Sequence, residues 1–358
     1  MYISTTIVFG LFVATLLVSC NADANATQPL FPAILIFGDS TADTGNNNYY
    51  SQAVFKANHL PYGVDLPGHE ANGRFSNGKL ISDVISTKLN IKEFVPPFLQ
   101  PNISDQDIVT GVCFASAGAG YDDETSLSSK AIPVSQQPSM FKNYIARLKG
   151  IVGDKKAMEI INNALVVISA GPNDFILNFY DIPIRRLEYP TICGYQDFVL
   201  KRLDGFVREL YSLGCRNILV GGLPPMGCLP IQLTAKLRSL FRICVEQENK
   251  DSILYNQKLV NKLPEIQASL PGSKFLYANV YDSVMDMIRN PSKYGFKETK
   301  KGCCGTGYLE TSFLCNSLSK TCPNHSDHLF WDSIHPSEAA YKYLGNFIDA
   351  QIQEWLKG

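Results

Sequence analysis

The sequence predicts an α/β fold in which a parallel sheet lies between two layers of helices. Three observations carry that prediction: short apolar runs rich in β-branched residues, apolarity in those runs too continuous for a sheet with one wet face, and helical patterns between them. The runs are "AILIF" (33–37), "VCFA" (112–115), "ALVVISA" (164–170), "NILVGG" (217–222) and "KFLYANV" (274–280). Between them, "KLISDVISTKL", "SMFKNYIARLKGIV", "FVLKRLDGFVRELYSLG" and the stretch from Leu237 to Leu270 read as helices. A last helix is expected from Pro336, since proline suits a first helical turn. Its stripe of Leu344, Ile348, Ile352 and Trp355 would dock it on the core.

The chain has 358 residues, 45% apolar and 18% charged, with no repeat, low-complexity tract or linker, so one enlarged domain is expected over residues 25–358. Before it, Ile7 to Val18 is apolar but shorter than the roughly 20 residues that cross a bilayer. Residues 1–24 therefore read as a secretory signal cleaved after Ala24, although "MYISTT" lacks the usual basic residue. That predicts a secreted protein with no transmembrane anchor. Losing Asp23 with the signal moves the formal charge from −1 to 0. Such a balance gives no basic footprint for nucleic acid.

Of ten cysteines Cys20 leaves with the signal, and the remaining nine predict several disulfides and at least one odd thiol. Cys303, Cys304, Cys315 and Cys322, followed by His325, also raise zinc as an alternative. Adjacent cysteines are poor zinc spacing and export favours disulfides, so no metal is expected. Cys228 and Cys244 are the next pair expected to bridge. Sequons at Asn25, Asn102 and Asn324 are candidate glycosylation sites.

In an open parallel sheet, ligands bind beyond the carboxyl ends of the strands. Ser40 follows the first run, Gly118 the second in "FASAGAG", and Asn173 the third in "ISAGPND"; "WDSIHP" brings Asp332 and His335 just before the last helix. A serine hydroxyl needs a base within hydrogen-bond reach to act as a nucleophile. His335, held extended by the proline that follows it, is the best of five histidines, and Asp332 would orient its ring. The Ser40 and Gly118 N–H groups and the Asn173 amide would then receive the oxyanion of an acyl-transfer intermediate. His59, His69, His325 and His328 are read as structural or merely exposed, and Asp39 as a support for the loop.

Two other motifs are set aside. "GRFSNGK" (73–79) has the glycine and lysine spacing of a phosphate-binding loop, but Leu80 stands where Ser or Thr is required and no strand precedes it. The acidic run Asp122 to Glu124 is read as a solvated loop.

Taken together, "FGDSTADTGNNN", "NGRFSNGKLISD", "GVCFASAGAG", "ISAGPND", "GLPPMGCLP", "CCGTG" and "FWDSIHP" resemble the plant branch of the GDSL esterase/lipase family, within the SGNH hydrolase superfamily. The ordered set spans essentially the whole chain after residue 24. The resemblance implies a flavodoxin-like three-layer α/β/α sandwich with a mostly five-stranded parallel sheet, a Ser40, His335 and Asp332 triad, and Gly118 and Asn173 in the oxyanion hole. It implies a secreted serine ester hydrolase acting on a small-molecule or lipid ester through an acyl-enzyme, with no cofactor and no protein partner. An acyltransferase using the same triad, or a silent binding or defence protein on the same fold, are the alternatives. Ala117 and Cys113 depart from the family pattern, where glycine and asparagine are common. Without a GxSxG elbow at Ser40, a shallow, open pocket is expected.

Overall fold

A computed structural model describes residues 29–236 and 242–357. The signal segment 1–24, Asn25 and part of the 237–270 stretch lie outside the described residues. Four strands form the central sheet: β1 (Ile34–Gly38), β2 (Leu165–Ser169), β3 (Asn217–Gly221) and β4 (Lys274–Ala278), all parallel and in that order.

The fifth apolar run, 112–115, lies along the free edge of β1 but is not a regular strand. The Ile36 N–H donates to the Val112 carbonyl at 3.1 Å, and the Phe114 and Ser116 N–H groups donate to Ile36 and Gly38 at 2.7 and 3.1 Å. The ladder is interrupted there by the buried Gln137 carboxamide, whose oxygen accepts the Gly38 N–H at 2.9 Å and whose NH2 shares the Gly38 carbonyl with the Ser116 N–H, at 2.8 Å. A side chain thus completes what a longer strand would have supplied.

Strand alternation sends Leu35, Phe37, Val166, Ile168, Ile218 and Val220 to one face, where they pack on helices Gln137–Val152, Ile192–Ser212 and Glu246–Ser269. Ile34, Ile36, Leu165, Val167 and Leu219 point the other way, onto helices Ile81–Lys88 and Glu338–Trp355. The fold is therefore the expected three-layer α/β/α sandwich.

Two helix boundaries differ from the sequence reading. The last helix starts at Glu338, because the Ser337 hydroxyl accepts the Ala340 N–H and caps it. In the stretch from Leu237 to Leu270, the regular helix begins only at Glu246, after the Cys228–Cys244 disulfide.

A second sheet was not foreseen: β5 (Glu298–Gly302) pairs in parallel with β6 (His328–Phe330). Disulfides Cys303–Cys322 and Cys304–Cys315 follow it at once, and free Cys113, Cys193 and Cys215 are the unpaired thiols among the described residues. The zinc alternative for these four cysteines is thereby replaced by two bridges. Just past β5 the Cys303 and Cys304 N–H groups hold the carbonyls of Phe330, the last residue of β6, and Trp331, at 3.1 and 2.8 Å. The cross-linked segment thus fixes the chain leading into Asp332.

Candidate active site

Ser40 follows β1 because the backbone turns sharply at Gly38, whose φ is +137°. A Cβ there would stand 1.8 Å from the Ser169 carbonyl oxygen, so only glycine lets the strand end this close to β2. Asp39 steadies the turn: one carboxylate oxygen accepts the Thr41 N–H at 2.9 Å and the Thr41 hydroxyl at 2.8 Å. Burial nevertheless pushes this carboxyl up to about 6, against those bonds and the nearby His335.

From the other end of the chain, "WDSIHP" brings its histidine onto that serine. His335 Nε2 lies 2.7 Å from Ser40 Oγ, and His335 Nδ1 lies 2.7 and 2.9 Å from the two Asp332 oxygens. All three residues are buried, with Ser40 retaining 8% exposure. Asp332 Oδ1 also accepts the Ile334 and His335 N–H groups at 2.8 and 2.7 Å. Burial alone would raise the Asp332 carboxyl. The charge and hydrogen bonds of His335, together with the Tyr62 hydroxyl, outweigh it and hold the group below the usual carboxylate range.

Tyr62 is a site residue that sequence reasoning missed. Its hydroxyl donates to Asp332 Oδ2 at 2.6 Å and accepts the Ser312 N–H at 2.8 Å, while Thr311 donates to the same Asp332 oxygen at 3.0 Å. Burial and the neighbouring carboxylate push the phenol well above its ordinary value, so it stays a donor. Nothing in "HLPYGVD" marks that tyrosine, because its partner is 270 residues away.

Gly118 and Asn173 line the same cleft as Ser40 and His335. Gly118 takes φ +87°, and a Cβ would meet the Ser129 Cβ at 2.6 Å and the Phe55 ring at 2.8 Å. Neither the Ser40 nor the Gly118 N–H donates to anything among the described residues. Asn173 spends one amide hydrogen on the Ala119 carbonyl at 3.0 Å, which leaves its second hydrogen for a ligand. Three donors therefore border one cleft of about 140 Å³, whose other walls include Phe55, Phe75, Ile176, Leu177 and Ile231.

The loops carrying these donors are held by buried polar side chains. Asp43 accepts the Gly45 and Asn46 N–H groups at 2.8 and 2.7 Å and, on its other oxygen, the Ala117 N–H at 3.0 Å. Asn46 donates to the Cys113 and Ala115 carbonyls at 2.9 and 2.8 Å, and Asn47 to the Ala117 carbonyl at 2.9 Å. Asp174, fully buried, accepts the Tyr121 N–H at 2.9 Å, the Asp122 N–H at 3.1 Å and the Thr125 hydroxyl at 2.5 Å. Burial pushes its carboxyl up to about 7 against these bonds.

Two motifs set aside earlier have structural work. Arg74 and Asp83 of "GRFSNGKLISD" form a buried bidentate pair at 2.8 Å in both bonds, and Arg74 also reaches the Thr44 and Val95 carbonyls. Asp122 corrects the reading of a solvated acidic loop: it is buried and holds the Arg185 guanidinium through bonds of 2.7 and 2.8 Å. The sequons at Asn102 and Asn324 are exposed. The other four histidines take no part in the cluster.

The family model for GDSL-like lipase/acylhydrolase matches residues 34–348. An Arabidopsis thaliana protein named as a GDSL esterase/lipase is 97% identical over 357 residues, covering 100% of both chains. A second of the same name and organism is 87% identical over 355 residues, and a third 77% identical over 354; the alignments cover 98–99% of each chain.

Proposed function

The chain belongs to the GDSL-like lipase/acylhydrolase family and is a carboxylic ester hydrolase, and from that premise we propose that Ser40 is its nucleophile, His335 its general base and acid, and Asp332 the orienting carboxylate. The observation that carries the assignment is the continuous relay from Ser40 Oγ through His335 to Asp332, in steps of 2.7 Å, opening on an apolar cleft.

Ser40 Oγ attacks the ester carbonyl carbon as its proton passes to His335 Nε2. Charge gathers on the carbonyl oxygen, where the Ser40 and Gly118 N–H groups and the second Asn173 hydrogen receive it. Collapse breaks the bond to the alcohol oxygen, which leaves with the proton from His335. Water, deprotonated by the same nitrogen, then attacks the acyl-serine; the acid departs and Ser40 recovers its proton. Throughout, Asp332 stays ionised, holds the Nδ1–H tautomer and stabilises the imidazolium.

Three disulfides among the described residues support export through an oxidising compartment. Secretion behind the 1–24 signal is part of the proposal, as is glycan attachment at Asn25, Asn102 and Asn324. Ser40→Ala should abolish both turnover of p-nitrophenyl acetate and labelling by a fluorophosphonate. Near-wild-type turnover in that variant, with the fold intact, would remove Ser40 from the mechanism.

A further inference from the structure

Three consecutive peptide units run past Gly118, and each is held by a different side chain. The 116–117 unit is held at its N–H end, where Asp43 Oδ2 accepts the Ala117 N–H at 3.0 Å. The 118–119 unit is held at both ends: the Ser129 hydroxyl donates to the Gly118 carbonyl at 2.9 Å, and the Ala119 N–H donates to the Ser116 carbonyl at 3.1 Å. Between them lies the 117–118 unit, whose N–H is the Gly118 donor. Its one hydrogen bond among the described residues is at the carbonyl end, where Asn47 Nδ2 donates to the Ala117 oxygen at 2.9 Å.

Asn47 is buried, and its carboxamide is fully used: the second hydrogen goes to the Phe55 carbonyl at 2.8 Å, and the oxygen accepts the Ser116 hydroxyl at 2.6 Å. A peptide unit is a rigid plane, so a bond at its carbonyl fixes where its N–H points. The 117–118 plane needs fixing because glycine follows it. Turning it over would carry Gly118 from φ +87° to a negative φ, which a residue without a Cβ accepts as readily. The N–H would then turn away from the cleft, and a carbonyl oxygen would stand where the oxyanion forms. The other donor peptide is locked by its own turn, since the Asp39 carbonyl accepts the Ala42 and Asp43 N–H groups at 3.1 and 2.9 Å.

We propose that Asn47 is a positioning residue for ester hydrolysis: it locks the Ala117–Gly118 peptide in the orientation that offers its N–H to the oxyanion. The inference rests on the assignment of Ser40 as nucleophile and Gly118 as oxyanion donor. The same bond strengthens the donor, because a hydrogen bond accepted at the carbonyl end of a peptide polarises its N–H end. Substrate binding makes little use of the lock, since charge gathers on the ester carbonyl oxygen only as Ser40 attacks. The lock therefore acts on the transition state more than on the bound ester.

The test is Asn47→Ala in the full chain, with active sites counted by a fluorophosphonate. One peptide unit is released while Asp43 and Ser129 still pin its neighbours. On p-nitrophenyl acetate, kcat should fall by about 10- to 100-fold with KM within about threefold, short of the loss of about 10²–10³ for a donor removed outright. Affinity for 1-butaneboronic acid, whose boron takes the Ser40 oxygen and becomes tetrahedral, should fall in the same proportion as kcat/KM. A merely structural role would lower the melting temperature without that proportionality. A kcat within about twofold of wild type would overturn the proposal, as would a fall in kcat that boronate affinity does not follow. If circular dichroism shows Asn47→Ala misfolded, Asn47→Ser, which keeps a hydroxyl donor on a shorter side chain, is read by the same two measurements and decided by the same outcomes. Ser40→Ala tests the premise separately: an inert Ser40→Ala beside a fully active Asn47→Ala removes the lock and leaves the nucleophile in place.

Discussion

Asp174 lies outside the cleft, yet if Gly118 and Asn173 are the oxyanion donors proposed above, kcat should depend on it. Its carboxylate ties the loop that follows Gly118 to the turn that carries Asn173: Oδ2 accepts the Tyr121 N–H, and Oδ1 accepts the Asp122 N–H and the Thr125 hydroxyl. In Asp174→Asn one of those oxygens becomes an NH2 group. If the amide nitrogen takes the Oδ2 position it faces the Tyr121 N–H, and if it takes the Oδ1 position it faces the Asp122 N–H. Either way a buried backbone donor loses its acceptor, at a cost of about 1–3 kcal/mol.

Relief of that contact should shift the loop, and the prediction is that Gly118, three residues before Tyr121, shifts with it. Complete loss of one oxyanion donor costs about 10²–10³ in rate. A partial displacement should therefore lower kcat by about 10- to 100-fold while leaving KM within about threefold, because the apolar walls that hold the substrate are elsewhere. Steady-state kinetics on p-nitrophenyl acetate, with active sites counted by fluorophosphonate, measure this; a thermal melt separates it from global unfolding. A variant that melts early but keeps kcat within about twofold per active site would refute the coupling between Asp174 and the oxyanion donors.

Two further outcomes follow from the same site. Tyr62→Phe removes a donor to Asp332 and leaves the buried Ser312 N–H without its acceptor; hydrogen bonds to charged groups are worth about 1.5–3 kcal/mol, so kcat should fall about tenfold or more, and an unchanged rate of fluorophosphonate labelling would argue against Tyr62 as a support of the triad. For Asp39, burial raises the carboxyl from its ordinary 3.8 to about 6, so the folded state holds a proton that the unfolded state has released; the resulting stability is fully present below pH 3.8 and is lost as pH rises through 6. At ~1.4 kcal/mol per pH unit the loss is about 3 kcal/mol, and Asp39→Asn should gain on wild type by up to that amount between pH 4 and 7 in urea unfolding, whereas a pH-independent difference would show that burial does not perturb this carboxyl.

The central sheet was legible because its strands are buried on both faces, so their apolar runs are continuous and β-branched. The same logic misses β5, "ETKKG", in which three of five residues are charged. It pairs with β6 across a connection that two disulfides cross-link, and covalent cross-links leave no periodicity in the residues they hold. The run at 112–115 was legible as extended chain but not as an incomplete strand, since its ladder is cut short by Gln137, 99 residues from Gly38. At the candidate site, Ser40, Gly118 and Asn173, which line one cleft, could be picked out because they follow apolar runs, and Asp332 and His335, which hydrogen-bond towards Ser40, because they precede a helix. Tyr62 and Thr311 come from loops with no pattern of their own, and Asp122 was misread because its Arg185 partner is 63 residues away.

The polar run after Ser40 shows how loops acquire the precision that catalytic groups need. Donors and nucleophile placed on loops are useful only if those loops are fixed to a fraction of an ångström. Here the fixing is done largely by short polar side chains that reach neighbouring backbone. Asp43 spans its own turn and the Ala117 N–H; Asn46 and Asn47 take the carbonyls of Cys113, Ala115 and Ala117. Those carbonyls lie on the segment that ends at Gly118. The stretch "TADTGNNN" is therefore a clamp between the loop of Ser40, the proposed nucleophile, and the loop of Gly118, a proposed oxyanion donor, and its side chains suit that task because asparagine donates and accepts at once while aspartate accepts on two oxygens. A hydrophobic residue at Asp43, Asn46 or Asn47 would fit the burial but orphan two or three backbone groups each. Loss of the clamp should therefore loosen Gly118 against Ser40 before it loosens the sheet.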